Sequence, residues 1–137
     1  MNGLNEVTSN QIERLVQASG DGDITSVKRL IAQSVNINGE NEEGGTSLQV
    51  ASFNGHKDII LYLLKKNADI DFVSKHKNGF TALYCACTEG HLQIVSLLLE
   101  RGADQEIKTN DAQQTCLFLC CHEWTCKRYQ LTYRERR

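Results

Sequence analysis

The chain repeats itself at a nearly fixed spacing. The segment "FNGHKDIILYLLKKNADID" (Phe53–Asp71) returns 35 residues later as "TEGHLQIVSLLLERGADQE" (Thr88–Glu106), and Gly22-Asp23 stands 33 residues before Gly55-His56. Self-similarity at a period of ~20–50 residues is typical of stacked repeats, whose units bury their apolar surface only against one another. The chain is therefore predicted to be a stack of 33-residue units, with two extra residues near Ser74.

Each unit contains the signals of two short helices. In the unit from 41 to 73, Thr46 followed by Gln49 forms the capping-box pattern of a helix start, and Gly55 suits the helix end. A second helix is predicted over Lys57–Lys66. The first helix carries a narrow face of small and apolar residues, namely Leu48, Ala51 and Ser52. The second helix carries an apolar stripe made of Ile59, Ile60, Leu63 and Leu64. The predicted fold class is all-α, with stacked antiparallel helix pairs.

Composition limits the class of protein further. The 137 residues have room for one domain, and 40% hydrophobic with 23% charged residues is ordinary for a globular chain. The apolar run Ile59–Leu64 is far shorter than the ~20 residues of a membrane span, and the first residues lack a signal-peptide pattern. We expect an intracellular chain, cytoplasmic or nuclear, without membrane insertion.

The repeated residues closely resemble the ankyrin repeat. The resemblance implies an ankyrin solenoid over residues 8–121, with short β-turn-like protrusions, an N-terminal extension 1–7 and an irregular basic tail 122–137. Its units are 8–40, 41–73, 76–108 and a partial 110–121. The matching structural positions are Thr46, Leu48, Ala51, Gly55, His56, Thr81, Leu83, Ala86, Gly90 and His91. No proline is present, so Ser47, Ala82 and Cys116 stand at the first helical position, where proline is favoured.

The same resemblance implies a protein-binding module without catalysis, cofactor or small-molecule substrate. In ankyrin-like stacks the turn tips and the exposed edges of the first helices form a concave binding face. The positions carried over are Glu42, Glu43, Gly45, Phe53 and Asn54 in one unit, and Lys77, Asn78, Phe80, Thr88 and Glu89 in the next. Phe53 and Phe80 are either partner anchors or residues packed along a neighbouring turn.

The two repeated histidines invite a catalytic interpretation, because histidine titrates near neutral pH. However, His56 and His91 recur once per unit after glycine, and no serine, cysteine or carboxylate accompanies both in a triad pattern. Hydrogen bonding within each layer is therefore the preferred interpretation, and no catalytic residue is predicted.

Two alternatives concern the C-terminal region. A zinc or redox site could use the Cys/His cluster Cys116, Cys120, Cys121, His122 and Cys126, although the paired spacing of zinc motifs is absent and no metal site is predicted. The basic residues Lys127, Arg128, Arg134, Arg136 and Arg137, interleaved with Tyr129 and Tyr133, could contact nucleic acid, but a solvated terminus is preferred.

A third alternative concerns the length of the chain. Residues 35–59 resemble the ankyrin segment of mind bomb-type ubiquitin ligases, and the repeat pattern stops near Cys121. This resemblance implies a fragment or isoform of a larger ubiquitin-ligase or signalling scaffold.

Overall fold

The computed structural model describes residues 2–74 and 79–109. Six helices lie within these residues, in three consecutive pairs, which confirms the all-α prediction. None of the helices in this part of the chain has both the length and the apolar character of a membrane span. The pairs are α1 (Asn2–Asp21) with α2 (Ile24–Ala32), α3 (Ser47–Asn54) with α4 (Lys57–Lys65), and α5 (Ala82–Thr88) with α6 (Leu92–Glu100).

The first pair differs from the other two at its start. Helix α1 begins at Asn2, so residues 2–7 of the predicted N-terminal extension are the first turns of this helix. The N-cap residue of helix α2 is Asp23, which stands where the later units have histidine. The Asp23 carboxylate accepts bonds from the Ser26 hydroxyl and backbone N–H, and these bonds lower the pKa of that carboxyl. The first unit therefore caps its second helix with a side chain of its own.

Helix α3, the first helix of the second unit, starts and ends where the sequence predicts. The Thr46 hydroxyl accepts from the Gln49 N–H, and the Gln49 side chain accepts from the Thr46 N–H, which completes the capping box. The helix ends at Gly55, whose φ of 81° lies in the left-handed region that favours glycine.

The first helices of the three pairs pack closely, with α3 between α1 and α5. Small residues make this approach possible: Ala18, Ala51 and Ala86 occupy the same repeat position and are all buried. The buried hydroxyls of Ser19 and Ser52 donate to the carbonyls of Leu15 and Leu48, each at 2.7 Å, so neither is left without an acceptor.

The second helices supply most of the large core side chains. In α4, Ile59, Ile60 and Leu63 are at most 1% exposed. They belong to one continuous core with Val27 and Leu30 of α2 and with Ile94, Val95 and Leu98 of α6. Because this core runs through all three pairs, each pair depends on its neighbours for burial.

Histidine side chains join successive layers. His56 Nε2–H donates to the Gly20 carbonyl at 2.8 Å, and His91 Nε2–H donates to the Phe53 carbonyl at 2.9 Å. A Cβ atom on Gly55 would lie 2.9 Å from Cε1 of His91, so glycine leaves room for the ring of the next layer. The paired glycine and histidine thus serve the stacking of the repeats.

A second set of bonds joins the layers at the segments after the second helices. The Asp69 N–H donates to Asn38 Oδ1 at 2.9 Å, and the Asp104 N–H donates to Asp71 Oδ1 at 2.7 Å. The two bonds are equivalent in successive units, which explains why an Asn or Asp recurs at this position. The partial unit 110–121 and the tail 122–137 lie outside the described residues.

Replacing Ser47 with proline is expected to raise the free energy of unfolding by about 1–2 kcal/mol. Among the described residues, the buried Ser47 hydroxyl finds no hydrogen-bond partner, and removing it relieves that desolvation penalty. Proline also suits the first helical position and restricts the unfolded chain, and Thr46 already has the extended conformation that precedes proline. Urea unfolding measures the change. Ser47→Ala separates the two contributions, and a proline variant less stable than the alanine variant would contradict this account of the turn.

Candidate functional site

The turn between the first and second pairs is closed by one side chain. Asn41 Oδ1 accepts from the Gly45 N–H at 2.8 Å, while the Asn41 N–H donates to the Gly45 carbonyl at 3.0 Å. The Gly44 N–H donates to the Asn41 carbonyl at 2.9 Å. These bonds fix the turn that carries the exposed Glu42 and Glu43.

A groove lies between this turn, helix α3 and the start of the third unit. We call it the aromatic groove and define it by Asn41, Gly45, Gln49, Val50, Phe53 and Phe80. Its volume is about 260 Å³. Glu43 lies at its border, and the groove brings together two aromatic side chains that are 27 positions apart in the sequence, from 53 to 80.

Phe53 is the exposed member of the aromatic pair. It lies near the end of α3 and is 46% exposed, an unusual surface position for so large an apolar side chain. Its backbone is held by the next layer, because its carbonyl accepts the bond from His91 Nε2. Phe53 therefore presents apolar area to solvent from a fixed backbone position.

Phe80 is only partly exposed and packs against its own unit. Its ring stacks on the Tyr84 ring, with centroids 4.6 Å apart and planes 11° from parallel. Its carbonyl accepts from Gln49 Nε2 at 2.6 Å, and the same amide nitrogen donates to the Phe72 carbonyl at 3.0 Å. Gln49 therefore holds the backbone at both Phe72 and Phe80, which lie on either side of the two extra residues in the sequence.

Cys85 lies in the wall of the groove and offers no reactive thiolate. Burial is the main cause that raises the pKa of this thiol to about 12, so the group is protonated at neutral pH. A protonated, buried thiol is a poor nucleophile and a poor metal ligand. Cys85 is therefore a packing residue of the wall.

The predicted binding residues fall into three groups. Glu43, Phe53 and Phe80 meet at the aromatic groove, and Glu42 is next to it on the turn. Asn54, Thr88 and Glu89 are exposed but do not line the groove. The Asn54 amide donates to the Val50 carbonyl at 3.2 Å and the Thr88 hydroxyl to the Tyr84 carbonyl at 2.9 Å, so both side chains turn back onto their own helices. Lys77 and Asn78 lie outside the described residues.

Sequence reasoning missed three residues that form the groove. Asn41 closes the turn, Val50 lines the wall, and Gln49 holds Phe80 in addition to capping α3. The signal for Asn41 was available, since asparagine side chains bond to nearby backbone groups in turns, and Gly44 and Gly45 follow within the same turn. The bond from the Gln49 amide to the Phe80 carbonyl joins residues 31 positions apart, which no local pattern reveals.

Comparison with known proteins agrees with this architecture. A family model described as Ankyrin repeats (3 copies) matches residues 15–109 and, in an overlapping match, residues 69–128. The human Ankyrin repeat domain-containing protein 40 is 39% identical over 75 residues, which cover 54% of this chain and 20% of that protein. The zebrafish (Danio rerio) Notch-regulated ankyrin repeat-containing protein A is 42% identical over 52 residues, covering 38% of this chain and 46% of that protein.

The short coverage of these relatives limits the conclusions that can be drawn from the similarity. The chain spans 20% and 46% of the lengths of the two relatives, so the similarity concerns the repeats themselves. The family match covers well over half of the 137 residues and runs from the C-terminal part of α1 through α6. The chain belongs to the ankyrin-repeat family.

Proposed function

We propose that this chain is a non-catalytic binding module that holds a partner protein at the aromatic groove and its neighbouring turn. Ankyrin repeats are generally protein–protein interaction modules, and the three stacked pairs belong to that class. An adaptor or scaffold role follows from binding without chemistry, since the module then acts by bringing its partner to another component.

The observation that carries the proposal is the exposed Phe53 on a fixed backbone. An aromatic side chain that is 46% exposed gains the most from a partner that covers it, and aromatic residues are enriched among the anchors of interfaces. Bonds from His91 and Gln49 hold the carbonyls of Phe53 and Phe80, so little backbone freedom remains to be lost on binding.

The size and charge of the groove favour a protein over other ligands. A volume of about 260 Å³ is below the ~300–1,000 Å³ of small-molecule pockets, and Phe53 stands out from the wall instead of enclosing a cavity. The carboxylates of Glu42 and Glu43 beside the groove disfavour a nucleic-acid backbone, which carries one negative charge per phosphate.

Replacing Phe53 with alanine is expected to weaken partner binding by about 30-fold or more, the effect of losing an interface anchor worth at least ~2 kcal/mol. The full chain serves as bait for affinity capture from cell lysate, with captured proteins quantified by mass spectrometry. Because Phe53 is exposed, the substitution should leave the helical content unchanged.

Val7→Ala is the matched control. Val7 is 56% exposed on α1, so this variant also removes exposed apolar area, but away from the groove. Capture should survive Val7→Ala and fail with Phe53→Ala. Equal capture by both variants would contradict the proposed site.

The other roles considered for the chain stay predictions. A zinc or redox site at Cys116–Cys126 and a nucleic-acid contact through residues 127–137 fall outside the described residues. Membership of a larger ubiquitin-ligase or signalling scaffold and an intracellular location are compatible with a binding module, and they are tested by the identity of the captured partner.

A further inference from the structure

The charges of the first two units are unevenly distributed over the surface. Apart from Arg14, the charged residues of α1 and the 40–43 turn are carboxylates, among them Glu6, Glu13, Glu40, Glu42 and Glu43. Helices α2 and α4 and their ends carry the basic residues Lys28, Arg29, Lys57, Lys65 and Lys66. The ammonium groups of Lys28 and Lys66 lie 5.6 and 5.8 Å from the centre of the Tyr62 ring, which places them on the second-helix side.

Four of the carboxylates of α1 and the 40–43 turn line a cleft that adjoins the aromatic groove. We call it the acidic cleft and define it by Glu6, Ser9, Glu13, Glu40, Asn41 and Glu42; its volume is about 650 Å³. Asn41 lines both depressions, so they meet at the closed turn. Apolar and anionic surfaces are therefore contiguous on one side of the stack.

The lining of the acidic cleft is held in place by contacts from other units. The Glu42 N–H donates to Glu13 Oε2 at 3.4 Å, which joins the turn to α1. The Ser74 hydroxyl donates to Glu40 Oε1 at 2.7 Å, which joins the turn to the segment between the second and third units. Four carboxylates thus line one cleft, and those of Glu13 and Glu40 are held by hydrogen bonds. A cationic ligand would offset the repulsion among the four.

We propose that the segment recognised by this chain is an extended, basic stretch of a partner protein with one aromatic or branched apolar side chain. This inference rests on the proposed function and specifies the chemistry of the partner. The apolar side chain covers Phe53 in the aromatic groove, and Lys or Arg side chains a few residues away lie in the acidic cleft. Charge-assisted hydrogen bonds to carboxylates orient the segment, and burial of the apolar side chain provides the anchor.

The test selects ligands from a phage-displayed library of random peptides of about 12 residues, which reach up to ~40 Å when extended. The full chain is the immobilised target. We expect enriched peptides to contain more Lys and Arg than the starting library, together with an aromatic or branched apolar residue. Affinities of the synthetic peptides should fall by about tenfold or more in Phe53→Ala and also in Glu6→Lys/Glu42→Lys.

A matched charge control uses carboxylates on the second helices. Asp58→Lys/Glu100→Lys changes the net charge by the same amount, but neither residue lines the groove or the cleft. It should leave peptide affinity within about twofold at physiological salt, where charges separated by more than ~8 Å are largely screened. An equal loss in both double variants would overturn the placement of the basic side chains.

The remaining outcomes separate this inference from the proposed function. Enriched peptides that are neutral or acidic yet depend on Phe53 overturn the basic chemistry and leave the binding groove intact. Peptides whose affinity is unchanged by Phe53→Ala overturn both the binding groove and the inference about the partner. A library without any enriched peptide overturns recognition of an extended segment. This chain's own residues 127–137 are also basic and aromatic. If neutralising their five charges raises peptide affinity tenfold or more, the occupant is this segment and not a separate protein.

Discussion

Replacing Leu63 with alanine is expected to lower the free energy of unfolding by about 2–5 kcal/mol. Leu63 is 0% exposed and belongs to the core that runs through all three helix pairs. The substitution removes buried apolar atoms and leaves a cavity that neighbouring helices fill only in part. Because small domains are stable by only ~5–15 kcal/mol in total, this single change removes a large fraction of the stability. Urea unfolding followed by circular dichroism measures it.

Leu61→Ala is the control for this effect, because it makes the same chemical change two positions away in the same helix. Leu61 is only partly buried and does not belong to the core cluster. Its replacement is expected to cost less than about 1 kcal/mol, the range of changes that leave the core packing intact. Equal destabilisation by the two variants would show that burial in α4 does not follow the predicted apolar stripe.

Replacing Gln49 with glutamate is expected to lower the free energy of unfolding by about 2–4 kcal/mol. Glutamate keeps the oxygen that accepts from the Thr46 N–H, so the capping box of α3 survives. It replaces the donating amide nitrogen with an oxygen that faces the carbonyls of Phe72 and Phe80, at 3.0 and 2.6 Å. The 6% exposure of Gln49 leaves little water to screen this repulsion.

Acidification provides an internal check on this variant. A protonated glutamate can donate to one of the two carbonyls, so the pKa of this carboxyl is raised in the folded state. Protonation of this carboxyl then stabilises the folded variant fully below the ordinary glutamate pKa of about 4.3. This stabilisation is lost as the pH rises through the raised pKa of the folded state. The stability deficit relative to wild type should therefore shrink on acidification. A stability deficit below about 0.5 kcal/mol at neutral pH would contradict the role of Gln49 in holding the Phe72 and Phe80 carbonyls.

Much of the fold could be predicted because its signals are local and repeat. The capping box of Thr46 and Gln49 and the glycine at 55 each act within a few residues. The period of the repeats then places equivalent residues in register, so His56 and His91 are recognisable as equivalent positions before their carbonyl partners are known. Helix starts, helix ends and the contacts between layers all follow from patterns of this kind.

The groove could be predicted only in part, because its surface depends on contacts between units. The position of Phe53 within its repeat indicates exposure, but stacking on Tyr84 makes Phe80 a partly buried wall residue instead of an equal anchor. The predicted edge residues Asn54 and Thr88 bond to their own helices. Conversely, Glu6 and Glu13 line the acidic cleft from helix α1, which the family pattern did not place in the site.

Site-specific photo-crosslinking tests the central claim most directly. A benzophenone-bearing phenylalanine analogue replaces Phe53 in the full chain, and the same analogue at position 7 serves as the control, because Val7 is also exposed and apolar. If the aromatic groove holds the partner, illumination in cell lysate will attach the captured protein at position 53 and not at position 7. Crosslinking at position 7 alone, or equal crosslinking at both positions, would contradict the account.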